Sequence, residues 1–69
     1  MTQINAGLCL KRAMAMRGIS CQKMAEDWGL MRQQITRWRG NKDMSLGKLQ
    51  RFAKYFDIEF FEFLKLGEE

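Results

Sequence analysis

The chain has 69 residues, which is enough for one small domain and excludes a two-domain protein, so we expect residues 1–69 to fold as a unit. Hydrophobic residues make up 46% of the sequence and charged residues 29%, which favours a folded chain over a disordered one. Valine and proline are absent, and there are only four isoleucines and two threonines, so residues that favour strands are scarce. The composition therefore predicts an all-α fold.

The composition also argues against an enzyme or a metal site. The sequence has no histidine, so the usual general base and metal ligand is missing. Its two cysteines, Cys9 and Cys21, are too few for a four-ligand zinc site, and we expect both to be reduced thiols. We therefore expect no catalytic residue, metal, cofactor or small-molecule ligand.

The sequence shows no targeting or membrane signal. No apolar run approaches the roughly 18 residues of a membrane-spanning helix, and residues 1–5 lack a basic, hydrophobic leader. We therefore expect a soluble protein that stays in the cytoplasm.

Charge is distributed unevenly along the chain, whose net charge is +4. Residues 1–56 carry 11 basic and 3 acidic side chains, a net +8, whereas residues 57–69 carry 1 basic and 5 acidic side chains, a net −4. A basic body with an acidic end is typical of a protein that binds a polyanion such as DNA and keeps its acidic end away from it. Charge alone also fits a surface that is merely soluble.

The apolar periodicity predicts five short helices without an internal repeat or a linker. The first helix is predicted over about Asn5–Arg17, and Gly18 is predicted to end it in the left-handed conformation. Its predicted apolar stripe excludes Cys9 and contains Ala6, Leu10, Ala13 and Met14.

Ser20 is predicted to cap a second helix that ends at Trp28, where Gly29 turns the chain. A third helix is predicted over about Arg32–Arg39, with an outer face that is wholly polar. Ser45 is predicted to cap a fourth helix whose core-facing stripe contains Leu46, Leu49, Phe52, Ala53 and Phe56. A last helical segment, 58–66, carries more aromatic surface than one face of a short helix can bury.

Seven residues in the segment that starts at Cys21 have the spacing of two helices that cross through a short turn. Ala25 supplies the small residue where the helix backbones approach, and Gly29 supplies the positive φ of the corner. The other positions are apolar and hold the crossing from inside; they are Met24, Trp28, Leu30, Ile35 and Trp38.

On these residues the chain resembles the helix-turn-helix family of phage repressors and Cro proteins, the xenobiotic-response-element group of bacterial regulators. The resemblance covers nearly the whole chain, with the motif at about residues 21–40, and also includes Gly7, Leu10, Arg17-Gly18-Ile19-Ser20, Lys42, Ser45-Leu46, Leu49 and Phe63-Leu64. It implies a compact, five-helix, lambda-repressor-like domain in which helices 2 and 3 form the DNA-binding motif.

In that family the second helix of the motif lies in the major groove, and its first residues read base edges. Carried over by position, the resemblance implies that Arg32, Gln33 and Arg37 read bases, with Gln34 and Thr36 as neighbouring candidates. Their chemistry fits this role, because arginine can form paired hydrogen bonds with guanine and glutamine with adenine. The alternative is that they are solvated polar residues on an exposed face.

The resemblance also implies phosphate contacts from the start of the motif's first helix and from the loop after the reading helix. The candidate residues are Ser20, Cys21, Gln22, Lys23, Asn41 and Lys42.

Three features depart from the family pattern. Cys21 stands where many members have a glutamine that binds the DNA backbone, and Met31 stands where serine or threonine commonly caps the reading helix. Met14 and Arg39 occupy the places where relatives often pair an arginine with a glutamate. We therefore expect Met14 to pack in the core and Arg39 to face solvent or DNA.

Together these features predict a sequence-specific transcriptional regulator, most simply a small phage- or prophage-type repressor that binds double-stranded operator DNA and associates with the nucleoid of a bacterial host. One alternative is an antitoxin-type autoregulator with a toxin as partner. Another is a protein-interaction module that does not bind DNA.

One reading helix contacts few base pairs, so we expect a homodimer. The predicted contact lies in the acidic, aromatic segment 57–69 and consists of Ile58, Phe61 and Leu66. Phe61 carries this prediction, because relatives usually have a polar residue at its position and an exposed apolar patch marks an interface.

Overall fold

The computed structural model describes residues 4–68 and folds them into five α-helices, which confirms the all-α prediction. The helices are α1 (Ala6–Arg17), α2 (Cys21–Trp28), α3 (Arg32–Arg39), α4 (Leu46–Phe56) and α5 (Phe60–Lys65). Extended pairing within the described part of the chain is limited to an isolated bridge between Ile4 and Glu68. Residues 1–3 and Glu69 lie outside the described residues. The first three belong to the start of the chain, for which no leader is predicted, and Glu69 belongs to the acidic segment.

Side-chain caps set helix starts where the sequence predicts them. The Oγ of Ser20 accepts the N–H of Lys23 at 3.1 Å before α2, and the Oγ of Ser45 accepts the N–H of Lys48 at 3.2 Å before α4. Met31 precedes α3 without a side-chain hydrogen bond. The carbonyl oxygen of Met31 accepts the N–H of Gln34 at 2.9 Å, so α3 starts on a backbone hydrogen bond without a capping hydroxyl.

Residues in the left-handed conformation end three of the helices. Gly18 ends α1 with φ 66° and Gly29 ends α2 with φ 68°, as the glycines predict. Asp57 ends α4 with φ 55°, a conformation that aspartate adopts more readily than most residues. The carboxylate of Glu59 then caps α5 by accepting the N–H of Glu62 at 3.1 Å, so α5 begins later than the sequence predicts.

The core lies where α1 packs against α3, α4 and α5. Its largest fully buried side chains are Phe52, Phe63, Leu10, Met24, Ile35 and Cys9. Met14 is also buried, as expected. Among the described residues, no polar or charged residue is fully buried, so apolar packing is the main source of stability.

Two core assignments made from periodicity are wrong. Cys9, which was excluded from the stripe of α1, is fully buried because α5 packs over that side of the helix, and its Sγ donates to the carbonyl oxygen of Leu64 at 3.6 Å. Leu46, which was assigned to the stripe of α4, is 61% exposed, because the buried stripe of that helix begins at Leu49. Burial also raises the pKa of the Cys9 thiol, which disfavours the reactive thiolate.

Two arginines of α1 hold the ends of the last two helices. Arg17 donates from Nε to the carbonyl oxygen of Phe56 and from Nη2 to that of Asp57, each at 2.9 Å. Arg12 donates from Nη1 to the carbonyl oxygen of Leu66 at 2.7 Å. The last carbonyls of a helix have no partner within it and carry partial negative charge, so these charge-assisted bonds tie α4 and α5 to α1.

Candidate nucleic-acid interface

The structure forms a helix-turn-helix from α2, the turn Gly29-Leu30-Met31 and α3. Ala25 is buried, and its carbonyl oxygen accepts the N–H of Leu30 at 2.8 Å, which closes the turn. A β-carbon at Gly29 would have open space around it. The positive φ of Gly29, rather than crowding, is therefore what requires a glycine at the corner.

α3 has one buried side and one exposed side, as the sequence predicts. Ile35 is fully buried on the inner side and Trp38 is half-buried. Four of the predicted base-reading residues are exposed and the fifth, Gln34, is half-buried; the exposed ones are Arg32, Gln33, Thr36 and Arg37. The hydroxyl of Thr36 donates back to the carbonyl oxygen of Arg32 at 3.2 Å, which leaves that hydroxyl as an acceptor toward a ligand.

α3 borders an open concavity of about 310 Å³. It is lined by Gly29, Leu30, Met31, Gln33, Gln34 and Arg37. Met31 is 72% exposed at the N-terminal end of α3, where an apolar group can contact the methyl group of thymine. Met31 is not among the contacts predicted from the sequence.

At the start of α2, two predicted phosphate-binding side chains are engaged on their own helix. Gln22 donates from Nε2 to Glu26 at 3.2 Å, and Lys23 forms an ion pair with Asp27 at 3.1 Å. The hydroxyl of Ser20 caps Lys23, as described above. The backbone N–H groups in the first turn of a helix have no partner within it, so the backbone at this end can bind an anion without these side chains.

The loop after α3 is held against the start of α1. The carbonyl oxygen of Lys42 accepts the N–H of Ala6 at 3.0 Å, and the side-chain oxygen of Asn41 accepts the N–H of Asp43 at 3.3 Å. Asn41 and Lys42 are both exposed. The ammonium of Lys42 thus projects from an anchored backbone.

The structure corrects one half of the expectation that Arg39 faces solvent or DNA. Instead of facing solvent, its side chain is half-buried and reaches from the end of α3 to the start of α2. Its Nη1 donates to the Sγ of Cys21 at 3.1 Å. Cys21, a predicted phosphate-binding residue, is itself half-buried and interacts with this arginine.

An aromatic cluster joins α2 and α3 to α4 on the side away from the exposed face of α3. The rings of Trp28 and Trp38 meet edge to face with centroids 5.7 Å apart, and both contact Phe52. Two cations of α4 cover the indoles, with Lys48 at 4.5 Å from the ring of Trp38 and Arg51 at 4.8 Å from that of Trp28. The cluster gives α3 a rigid support.

Tyr55 ties α4 to α2 through a short hydrogen bond, and its pH titration should report that bond. Its hydroxyl donates to Asp27 at 2.6 Å. Burial and the neighbouring Asp27 carboxylate raise the pKa of Tyr55 to about 12, so the contact should persist below the ordinary pKa of 10.0 and be lost as pH rises through about 12. Because Tyr55 is the one tyrosine of the sequence, tyrosinate absorbance follows it directly.

We expect the absorbance midpoint of the wild type to lie above that of Asp27→Asn, with circular dichroism recording that the fold persists through the titration. A wild-type midpoint equal to that of Asp27→Asn would contradict the contact.

Of the three predicted dimer residues, Phe61 is exposed and the other two are half-buried. Phe61 is 68% exposed, and its ring lies beside that of Phe60 with centroids 6.1 Å apart. Ile58 and Leu66 are half-buried and pack against the core. Phe61 is thus the most exposed member of this group, which remains a predicted interface.

Within residues 4–68, no group of three or more acidic or cysteine side chains is placed to hold a metal ion. None of the helices in that range is long and apolar enough to cross a bilayer.

Similarity to known proteins comes from a family model. The model of the Cro/C1-type HTH DNA-binding domain matches residues 9–69, which include α2 to α5 and most of α1. No curated protein and no solved structure matches the chain. The motif formed by α2, the turn and α3 lies wholly within the matched residues.

Proposed function

Because the chain belongs to the Cro/C1-type helix-turn-helix DNA-binding domain family, we propose that it is a sequence-specific transcriptional repressor of the small phage type. This is a DNA-binding family rather than an enzyme family. In the proposal, the protein acts in the cytoplasm, where two copies occupy an operator and block access of polymerase.

The observation that carries this proposal is the exposed polar face of α3 on a rigid support. Arg32, Gln33 and Arg37 are exposed on this helix, while Ile35 and the aromatic cluster fix its inner side. Rigid presentation matters because paired hydrogen bonds to base edges require a fixed orientation of the helix in the major groove. Gln34 and Thr36 complete the proposed reading surface, and Met31 supplies an apolar contact with thymine.

Phosphate contacts come, in this proposal, from both ends of the motif. The first-turn N–H groups of α2, next to Ser20 and Cys21, face a phosphate of the DNA backbone. The loop that contains Asn41 and Lys42 faces a second phosphate. Gln22 and Lys23 contribute after exchanging their partners on α2 for phosphate. The net +8 of residues 1–56 supports binding to a polyanion.

The salt dependence of binding to duplex DNA tests the proposed class of function. We expect the logarithm of the binding constant to fall linearly with the logarithm of salt concentration, with a slope of about −0.9 for each phosphate contacted. A protein-interaction module has no such dependence. Absence of duplex binding at about 50 mM salt, where nonspecific DNA binding is strong, would contradict the proposal.

Dimerisation through α5 is part of the proposal, and Phe61→Ser should weaken it. Removing an exposed aromatic side chain from the centre of an interface costs about 2 kcal/mol, so we expect roughly 30-fold weaker self-association in sedimentation. Leu46→Ser is the matched control, because Leu46 is similarly exposed but lies at the start of α4.

We expect Phe61→Ser to lose affinity for a full operator while its affinity for a half-site stays that of the wild type. If the folded variant self-associates and binds the full site as the wild type does, this interface is wrong.

A further inference from the structure

Arg39 is a cation that lies at the N-terminal end of a helix and has no carboxylate partner among the described residues. It is the last residue of α3, and its guanidinium reaches the first residue of α2, where Nη1 donates to the Sγ of Cys21 at 3.1 Å. The hydroxyl of Thr36 is 4.0 Å from the same sulfur. Cys21 therefore holds the guanidinium beside the N-terminal end of α2.

No carboxylate pairs with Arg39 in the described part of the free protein. The ion pairs among the described residues join Lys23 to Asp27 and Lys65 to Glu62, and none includes Arg39. The Nε of Arg39 is buried without a hydrogen-bond partner in this part of the chain. In addition, the N-terminal end of a helix carries partial positive charge, which repels a cation. A partly desolvated charge of this kind is costly unless an anion completes its surroundings.

We propose that Arg39 binds a backbone phosphate of the DNA and that Cys21 is its positioning residue. The inference rests on the proposed function, since it requires that the motif binds duplex DNA. A guanidinium has five N–H donors. In Arg39 one of the Nη1 donors goes to Cys21 and the Nε donor is buried, so the second N–H of Nη1 and those of Nη2 remain as the fork that suits two oxygens of a phosphate. The first-turn N–H groups of α2 lie on the same side of the site and add further donors.

The neighbouring side chains explain why this arginine is needed. In the free protein Lys23 pairs with Asp27 and Gln22 with Glu26. Both side chains must give up these partners before they contact phosphate, whereas Arg39 has no carboxylate partner among the described residues to give up. Met14 is buried in the core and offers no cation from α1. Arg39, the last residue of α3, is thus the cation that lies beside the N-terminal end of α2.

Arg39→Gln separates this role from a structural one. Loss of a phosphate contact weakens binding to every duplex, so we expect affinity for a selected site and for a random duplex to fall together by about tenfold or more. The salt slope should decrease in magnitude by about 0.9. The melting temperature of the free protein should stay the same or rise, because the variant no longer holds an uncompensated charge.

Two further substitutions serve as controls. Lys54→Gln removes an exposed cation of α4 that lies outside the proposed interface, and it should keep the wild-type salt slope. Arg39→Lys keeps the charge but loses the fork, so it should retain the slope with affinity between those of wild type and Arg39→Gln.

A double-mutant cycle tests the positioning role of Cys21. Cys21→Ala should weaken binding several-fold in the wild-type background, and Cys21→Ser, which keeps an acceptor, should restore most of it. In the Arg39→Gln background, Cys21→Ala should have no further effect. An equal effect in both backgrounds would show that Cys21 acts independently and would overturn its positioning role.

The outcomes distinguish the failure of this inference from the failure of the proposed function. If the wild type binds no duplex, the proposed function is wrong and the inference falls with it. If the wild type binds DNA and Arg39→Gln keeps its affinity and salt slope, Arg39 does not contact phosphate, while the proposed function stands. A lower melting temperature with an unchanged salt slope would assign Arg39 a structural role and overturn the inference.

Discussion

Replacing Gly7 with alanine is expected to lower the melting temperature of the protein clearly, whereas the same change at Gly47 should leave it unchanged or raise it. Gly7 lies in α1, where an added β-carbon would meet backbone atoms of Arg39 and Asn41, including the Asn41 carbonyl oxygen at 2.8 Å. Backbone atoms at the end of α3 cannot move aside without displacing that helix. Overpacking of this kind costs about 1–3 kcal/mol.

Gly47 is the matched control because it also lies in a helix, α4, and an added β-carbon there would have open space. Alanine favours a helix over glycine by up to about 1 kcal/mol. For a domain of this size, Gly7→Ala should lower the melting temperature by roughly 4–24 °C in thermal unfolding followed by circular dichroism. A wild-type melting temperature for Gly7→Ala would show that α1 does not approach α3 so closely.

The largest effect on binding is expected from the exposed face of α3. Arg32→Ala, Gln33→Ala and Arg37→Ala should each lose about 1–3 kcal/mol of affinity for the preferred site, because each removes a side chain that can form paired hydrogen bonds with a base edge. Each variant should also relax the base preference at one position of the site. Titrations on the preferred site and on its single-base variants measure both effects.

Lys54→Ala is the control for charge, because Lys54 is exposed on α4 outside the proposed reading surface. It should bind the preferred site as the wild type does, and all variants should lose much less affinity for a random duplex. If the three α3 variants keep wild-type affinity for the preferred site, another face of the protein reads the DNA.

The helix boundaries were readable from the sequence because their signals are local. Ser20 and Ser45 accept N–H groups three residues later, and Gly18 and Gly29 adopt the left-handed conformation that favours glycine. None of these interactions needs information from a distant part of the chain.

The predictions from sequence are wrong where contacts with a distant helix decide whether a side chain is buried. Cys9 is buried by α5, which is more than 50 residues away in sequence, and a single-helix periodicity cannot show that α1 packs on three sides. The position of Arg39 depends on the crossing of α2 and α3, which brings it to Cys21. The contacts of Gln22 with Glu26 and of Lys23 with Asp27 do not depend on distant elements. Each pair is four residues apart on one helix, a spacing from which the sequence could have predicted the contact.

The family resemblance predicted more of the candidate interface than local sequence patterns could. The structure exposes the residues that the resemblance placed on the outer face of α3, namely Arg32, Gln33, Thr36 and Arg37. The family match supports DNA binding by the domain that carries them. Their roles in reading bases remain predictions.

Selection of bound sequences from a pool of random duplexes tests the central claim most directly. We expect the wild type to enrich a two-fold-symmetric sequence whose half-sites lie about 10 base pairs apart, one helical turn of roughly 34 Å. The triple variant with alanine at Arg32, Gln33 and Arg37 should enrich no common sequence while it still binds DNA at low salt. Enrichment of no common sequence by the wild type, or of the same sequence by the triple variant, would contradict sequence reading by α3.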